Sequence, residues 1–276
     1  MDQMSSNETL PMSALSEDYS LRFGGLGRLF GSAALEKLRS SHVCVIGIGG
    51  VGSWAVEALA RSGIGILTLV DLDDVCITNA NRQLHALNGT VGRSKVAVMA
   101  DRVRLIAPEC EVRERTIFFT EQTAEELLTG KPDVILDCID SLGPKCLLLH
   151  ACHEKGITTM TSGGAGGKRE SSLVQVDDLA MTHGDGLLKQ VRKCLRREYG
   201  WTLNEGTACG IRAVFSPETP LYPWSDGSLC PKPELGTLLK LDCSSGFGTA
   251  SFVTGAFGLA LAGEAVKHLA SQKSAE

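Results

Sequence analysis

Residues Val43 to Gln83 read VCVIGIGGVGSWAVEALARSGIGILTLVDLDDVCITNANRQ. The apolar run Val43, Cys44, Val45 and Ile46 predicts a strand buried in a parallel sheet. Gly47, Gly49, Gly50 and Gly52 follow in GIGGVG, and Trp54, Ala55, Ala58 and Leu59 then form one apolar helix face. A second apolar run, Ile66 to Val70, ends in Asp71. Strand, glycine turn, helix, strand and acid in that order make a nucleotide-binding unit. Glycines let the backbone approach a phosphate, the helix start offers free N–H donors, and the acid can reach a ribose hydroxyl.

The chain after Asp71 carries more charge than a dinucleotide crevice needs. Asp73, Asp74, Asn79, Asn81, Arg82 and Gln83 are followed by Lys95, which precedes a predicted helix over 96–106. Arg82 and Lys95 could follow negative charge building on phosphorus and on a departing pyrophosphate. The bland alternative for Lys95 is a helix-surface lysine. Further on, Val134, Ile135 and Leu136 predict a buried strand that runs into Asp137-Cys138-Ile139-Asp140. Ligands of open α/β sheets sit at the carboxyl ends of strands, so Asp140 falls where an acid could hold Mg²⁺ through waters. It could instead cap the helix that follows.

Length allows one large or two small domains, and a net charge of −5 does not announce a nucleic-acid binder. Ten cysteines without a hydrophobic leader suggest a reducing cytoplasm rather than a disulfide framework. No CxxC pair occurs, so no zinc is expected. Residues 1–17 are polar and expected to be disordered. Ala34, Leu35 and Leu38 suggest a short helix before the first strand.

The second half is harder to read. The run SGGAGG at 162–167 could be another close-approach loop, but a hairpin turn into Ser172 to Val176 is the favoured reading. Leu187 to Tyr199 is the densest basic stretch. Its apolar face holds Leu188, Val191 and Leu195, and Lys189, Arg192, Lys193, Arg196 and Arg197 lie largely opposite. Such a helix is either a solvated face or a contact for an RNA backbone. Residues 206–236 are rich in glycine and proline and read as one long mobile loop containing Cys230. A thiolate there could act as a nucleophile, or the residue could be an ordinary exposed cysteine; Cys209 and Cys243 are weaker candidates. Residues 244–269 are apolar and glycine-rich, interrupted by Glu264 and Lys267. Hydropathy could flag them as membrane-spanning, but closely spaced small residues suit a core helix and no stable membrane insertion is expected.

GIGGVG, DLDDVCITNANRQ and Lys95 together resemble the ubiquitin-activating-enzyme superfamily of adenylating enzymes. Adding RFGGLGRLFG, SGGAGG, YPWSDGSLC and DCSSGFG, the chain resembles its tRNA threonylcarbamoyladenosine dehydratase branch. The fold implied is α/β and Rossmann-like, a doubly wound, mainly parallel sheet with flanking helices and a partly antiparallel C-terminal extension. The division implied is an N-terminal helical arm at 18–40, an ATP-binding domain at 41–170, and a substrate-binding or crossover region with a packing helix at 171–276. The reaction implied is ATP-dependent ring closure of threonylcarbamoyladenosine in tRNA through adenylation of the threonine carboxylate. Gly47, Gly49, Gly50, Gly52, Asp71, Asp73, Asn79, Arg82, Gln83 and Lys95 would surround ATP, and Asp140 would hold Mg²⁺, with room for a monovalent cation. A homodimer is implied, with an arm arginine reaching the partner's triphosphate. The usual place of that arginine holds Gly25, leaving Arg22, preferred here, or Arg28. A working link to a cysteine desulfurase and its sulfur acceptor is implied as well. Rival readings are an activating enzyme for a ubiquitin-like sulfur carrier and a nicotinamide-binding dehydrogenase or redox regulator.

Overall fold

The computed structural model describes residues 15–203, 206–234 and 248–271. Helix α1 (Glu17–Phe30) starts where the Ser16 hydroxyl accepts the Tyr19 N–H, so the expected disorder over 1–17 does not extend to its last residues. Residues 1–14 lie outside the described residues. Gly31, at φ 93°, separates α1 from α2 (Ser32–Ser40). Two helices therefore stand where one was expected, because a left-handed residue cannot continue a right-handed helix.

From there strands and helices alternate: β1 (His42–Ile46), α3 (Gly50–Arg61), β2 (Ile66–Val70), α4 (Lys95–Ile106), β3 (Glu111–Arg115), α5 (Glu121–Thr129), β4 (Val134–Asp137), α6 (Leu142–Glu154) and β5 (Thr159–Ser162). After β5 come β6 (Gln175–Asp178), α7 (Gly186–Glu198), β7 (Arg212–Phe215), the β8–β9 hairpin (Tyr222–Pro223 and Leu229–Cys230) and α8 (Ser251–Ser271). The main sheet has seven strands in the order β3-β2-β1-β4-β5-β7-β6. All its neighbours are parallel except β6, which runs antiparallel to β7. The order reverses between β1 and β4, and this switch point opens a crevice at the strands' carboxyl ends.

Two expectations for the second half fail. The loop after β5 is no hairpin turn: β5 pairs with β7, and β6 lies beyond it. The stretch 206–236 is not one long loop, since β7 is inserted between β5 and β6 with Ala213, Val214 and Phe215 buried. β7 has only four residues, three of them apolar, and the glycines and prolines around it hide it from a composition-based reading. The sheet crosses the expected division at 170/171 without a break.

The C-terminal helix is a core element. Val253, Phe257, Leu261, Ala265 and Leu269 of α8 are buried, and α8 packs against α3. A Cβ on Gly258 would lie 2.4 Å from the Val51 carbonyl oxygen, so the two helices meet backbone to backbone there. No described helix is long and apolar enough to cross a membrane.

The glycine turn is held from beneath. His85 is buried, and its Nε2 lies 2.9 Å from the Ile48 carbonyl oxygen, a bond that the neutral ring makes by donating. Burial lowers its pKa to about 4, against the stabilising pull of that carbonyl and with further lowering by Lys95.

Replacing Gly258 by Ala should lower the denaturation midpoint, with a loss of about 1–3 kcal/mol from overpacking. Gly263→Ala, where an added Cβ meets nothing within 4 Å, should be neutral or stabilising by about 0.5–1 kcal/mol. Equal effects at the two sites would refute backbone contact between α3 and α8. Because His85 titrates lower when folded, its share of stability is complete above about pH 6.5 and is lost as pH falls through that value towards about 4. The stability difference between wild type and His85→Gln should shrink across that window, by on the order of 3 kcal/mol when complete. A difference that stays constant from pH 7 to pH 4 would show that the ring is not buried in its neutral form.

Candidate functional site

The carboxyl ends of β1, β2, β4 and β5 open into a cavity of about 1100 Å³. Gly47, Gly49 and Gly50 form one wall and lead into the start of α3. Gly47 sits at φ 92°, and a Cβ there would meet the Cys138 carbonyl oxygen at 2.8 Å. A Cβ on Gly52 would lie 1.8 Å from the Gly47 carbonyl oxygen, so no larger residue can stand there without moving the turn. The helix start is thereby aimed at the cavity with its free N–H groups, a site suited to a phosphate.

Asp71 ends β2 and is tied to the same turn. Its Oδ2 accepts the Ile48 N–H at 2.7 Å and its Oδ1 accepts the Asp73 N–H at 2.9 Å. Burial raises its pKa, and Lys95 and the two N–H donors oppose that rise. Lys95 opens α4, is itself buried, and donates to Asp73 Oδ2 at 2.7 Å while standing 4.0 Å from Asp71 Oδ1. It is therefore a cation of the cavity wall rather than a surface lysine.

The NANRQ segment is fastened at several points. Asn79 Oδ1 accepts the Cys76 N–H at 2.9 Å, and Asn81 Nδ2 donates to the Thr249 carbonyl at 2.9 Å. The Arg82 carbonyl receives Trp54 Nε1–H from α3 and the Thr254 hydroxyl from α8, both at 3.1 Å. Its guanidinium, half-buried at the cavity, donates to the Thr78 carbonyl at 2.8 Å and to Asn81 Oδ1 at 3.1 Å. Gln83 also lines the cavity, and its Oε1 is buried with no hydrogen-bond partner among the described residues. A buried acceptor left unpaired is costly, and a ligand donor in the cavity would satisfy it.

Asp140 lies across the cavity on the loop after β4, exposed and without an ion pair among the described residues. It does not cap α6, whose N-cap is Ser141. The loop is held by a fully buried pair: Lys145 Nζ lies 2.8 Å from Asp137 Oδ2 and donates to the Ile139 carbonyl at 2.7 Å. Asp137 also accepts the Ile139 N–H and the Thr161 hydroxyl. Ile117, Phe118 and Phe119, just past β3, give the cavity an apolar side that no sequence motif marks. An apolar wall beside the glycine turn and Asp71 could accept a flat ring such as a purine.

The remaining predicted residues are scattered. Arg22 pairs with Asp18 at 2.7 Å and reaches the Ile106 carbonyl, in a cleft at the amino ends of β2 and β3, away from the cavity. Arg28 is exposed on the same helix, beside Gly24 and Gly25, with no ion pair among the described residues. On α7, Arg192 donates to the Leu179 carbonyl and the Thr182 hydroxyl, and Arg196 donates to the Leu203 carbonyl. Arg197 pairs with Glu198, while Lys189 and Lys193 are exposed. Cys230 pairs in register with Tyr222, which lines the cavity, although Cys230 itself does not. The Cys209 thiol donates to Asp178, and burial raises its pKa, which disfavours a thiolate. Cys243 lies outside the described residues. No group of three or more candidate metal-binding side chains occurs among the described residues.

A family model described as the ThiF family matches residues 25–276. The tRNA threonylcarbamoyladenosine dehydratase of Escherichia coli K12 is 44% identical over 256 residues, 92% of this chain and 96% of that protein. The protein of the same name from Haemophilus influenzae is 42% identical over 259 residues, 94% of this chain and 97% of its own length. A solved structure of the E. coli dehydratase in complex with ATP superimposes with a TM-score of 0.82 at 41% identity, covering 93% of this chain and 96% of that one. Its complex with AMP gives the same TM-score and identity, covering 93% and 97%. The chain belongs to the ThiF family, in its tRNA threonylcarbamoyladenosine dehydratase branch.

Proposed function

We propose that this chain is an ATP-dependent tRNA threonylcarbamoyladenosine dehydratase. It converts the threonine carboxylate of the modified nucleoside into an acyl adenylate, which then closes to a ring. The observation that carries the reading is one cavity joining a phosphate-type glycine turn, a buried lysine on its wall and a second glycine loop beside a basic helix. Relatives along nearly the whole chain bear that enzyme's name, and one of them is solved with ATP and with AMP.

A carboxylate is a poor electrophile because oxide would have to leave. When its oxygen attacks the α-phosphorus of ATP, pyrophosphate leaves and the carbonyl carbon acquires AMP as a leaving group. A group of the adjoining ureido linkage then attacks that carbon, loses its proton and expels AMP. The oxygen lost from the nucleoside departs in AMP, so the net change is loss of water. Proximity makes the ring closure easy, and activation is the harder step.

In this reading Gly47, Gly49, Gly50 and the start of α3 receive the phosphates, and Asp71 meets the ribose. Arg82 and Lys95 stabilise charge on the phosphorus and on pyrophosphate, with Asp73 holding Lys95 in place until a phosphate competes for it. Asn79 acts by shaping the segment that carries Arg82, and Gln83 offers its unpaired oxygen to the ligand. The Asp140 carboxylate fits Mg²⁺, a hard ion that takes oxygen ligands and would neutralise phosphate charge there. The protein acts as a homodimer in this reading. Arg28 is then the better candidate for a cation supplied to a partner's site, since Asp18 already engages Arg22. Lys189, Lys193 and Arg197 contact RNA phosphates, whereas Arg192 and Arg196 chiefly brace α7 against backbone carbonyls.

Incubated with ATP, Mg²⁺ and tRNA bearing threonylcarbamoyladenosine, the chain should yield a nucleoside lighter by one water, with AMP and pyrophosphate released; mass spectrometry of digested tRNA reads this. No such product, or AMP formation that needs a small carrier protein in place of tRNA, would refute the proposal. Lys95→Ala should lower kcat by about 10²- to 10³-fold, the usual cost of removing one charge-stabilising donor. The circular dichroism spectrum should be unchanged. A variant with wild-type kcat would remove Lys95 from the chemistry.

A further inference from the structure

We infer that the buried Lys168–Asp185 pair positions the acceptor half of the cavity, locking the second glycine loop to the first turn of α7 so that the reacting nucleoside and the RNA backbone share one register. This rests on the function proposed above. Lys168 Nζ donates to Asp185 Oδ2 and to the Ser216 carbonyl, both at 2.8 Å, and lies 5.6 Å from the centre of the Phe257 ring. Asp185 is the N-cap of α7, accepting the Leu188 N–H at 3.0 Å, and it also accepts the Gly164 N–H at 3.1 Å. Gly163 is packed against the same carboxylate, where a Cβ would stand 2.5 Å from Oδ2. The loop after β5, the start of α7, the end of β7 and α8 thus converge on one ion pair.

Stability does not require that pair to be charged. Its side chains are 3% and 1% exposed, and desolvating two ions costs several kcal/mol each. An apolar pair of similar shape is often as stable or more so, and a neutral serine or asparagine caps a helix as well as an aspartate does. The charged pair adds directed bonds that fix the loop relative to the helix. Gly164 and Gly166 of the loop and Leu187 and Gln190 of α7 all line the cavity. Farther along α7, Lys189 and Lys193 are exposed. A shift between loop and helix would therefore move the nucleoside pocket relative to the phosphate contacts. Neither Lys168 nor Asp185 bonds to Asp71, Arg82 or Lys95, so the ATP half should not feel the loss.

The test is steady-state kinetics of full-length Lys168→Met on modified tRNA, varying tRNA and ATP separately, with thermal stabilisation by ATP–Mg²⁺ measured alongside. The kcat/KM for tRNA should fall about 10- to 100-fold, as expected for misplacement of reacting groups by about an ångström. The KM for ATP and the nucleotide-induced rise in Tm should stay within about twofold of wild type. Lys168→Gln, which can still donate to one acceptor, should recover part of the loss. It also carries the measurement if Lys168→Met fails to fold. Unchanged tRNA kinetics, or a parallel rise in the KM for ATP, would overturn the inference. A wild-type chain inert toward modified tRNA would instead bring down the reading beneath it.

Discussion

The start of α3 leaves no room for a side chain against the turn that precedes it. Gly52 approaches the Gly47 carbonyl so closely that even a Cβ would collide with it, and Gly47 in turn abuts Cys138 at the end of β4. Two segments far apart in the chain, the glycine turn and the end of β4, are thereby brought to backbone contact at the switch point of the sheet. Other groups fasten to the same turn: Asp71 accepts the Ile48 N–H, His85 donates a hydrogen bond to the Ile48 carbonyl, and the Asp140 loop lies alongside. The placement of the glycine turn, of Asp71 and of the Asp140 loop thus depends on one packing constraint.

A second regularity follows from where charge is buried. Lys95–Asp73, Lys145–Asp137 and Lys168–Asp185 all stand near the carboxyl ends of strands, each within 2.8 Å, and the last two pairs are almost wholly desolvated. Exposed pairs such as Arg113–Glu111 or Lys155–Glu125 contribute little to stability. Buried pairs are costly to form, yet they hold loops in place by directed bonds that apolar contacts lack. Their placement gives loops at the cavity the rigidity that the interior gets from packing. Orienting a carboxylate and a phosphate for reaction demands that rigidity.

The glycine turn, its flanking strands and the acid after β2 were legible because each rests on local chemistry. An apolar run, a glycine at positive φ and a terminal aspartate need no knowledge of distant residues. The second half was not legible to the same degree. A strand as short as β7 shows no periodicity, and the identity of its neighbours is decided by distant segments, so SGGAGG reads as a hairpin although β5 and β6 are not paired in the sheet. Charge on α7 was visible, but its division between bracing and free residues depends on carbonyls of Leu179 and Leu203 that a helical projection cannot show. The apolar slot at Ile117 to Phe119 follows β3 without any motif of its own.

The charge lining the cavity bears on how the site would work. Its walls, among the described residues, carry four carboxylates, Asp71, Asp73, Asp140 and Asp185, against three cations, Arg82, Lys95 and Lys168. Two of those cations are already neutralised at close range, Lys95 by Asp73 and Lys168 by Asp185. Such a cavity has no surplus positive charge with which to hold a polyanion, although helix and turn N–H groups offer partial charges. In the proposed reading, a divalent cation beside Asp140 would add the positive charge that these walls lack for a triphosphate. Of the two cations proposed to act on phosphorus, Lys95 would stay paired with Asp73 until nucleotide arrives, whereas Arg82 has no carboxylate partner among the described residues. In that reading activation would be tied to nucleotide binding, because Lys95 would leave Asp73 only when a phosphate competes for it.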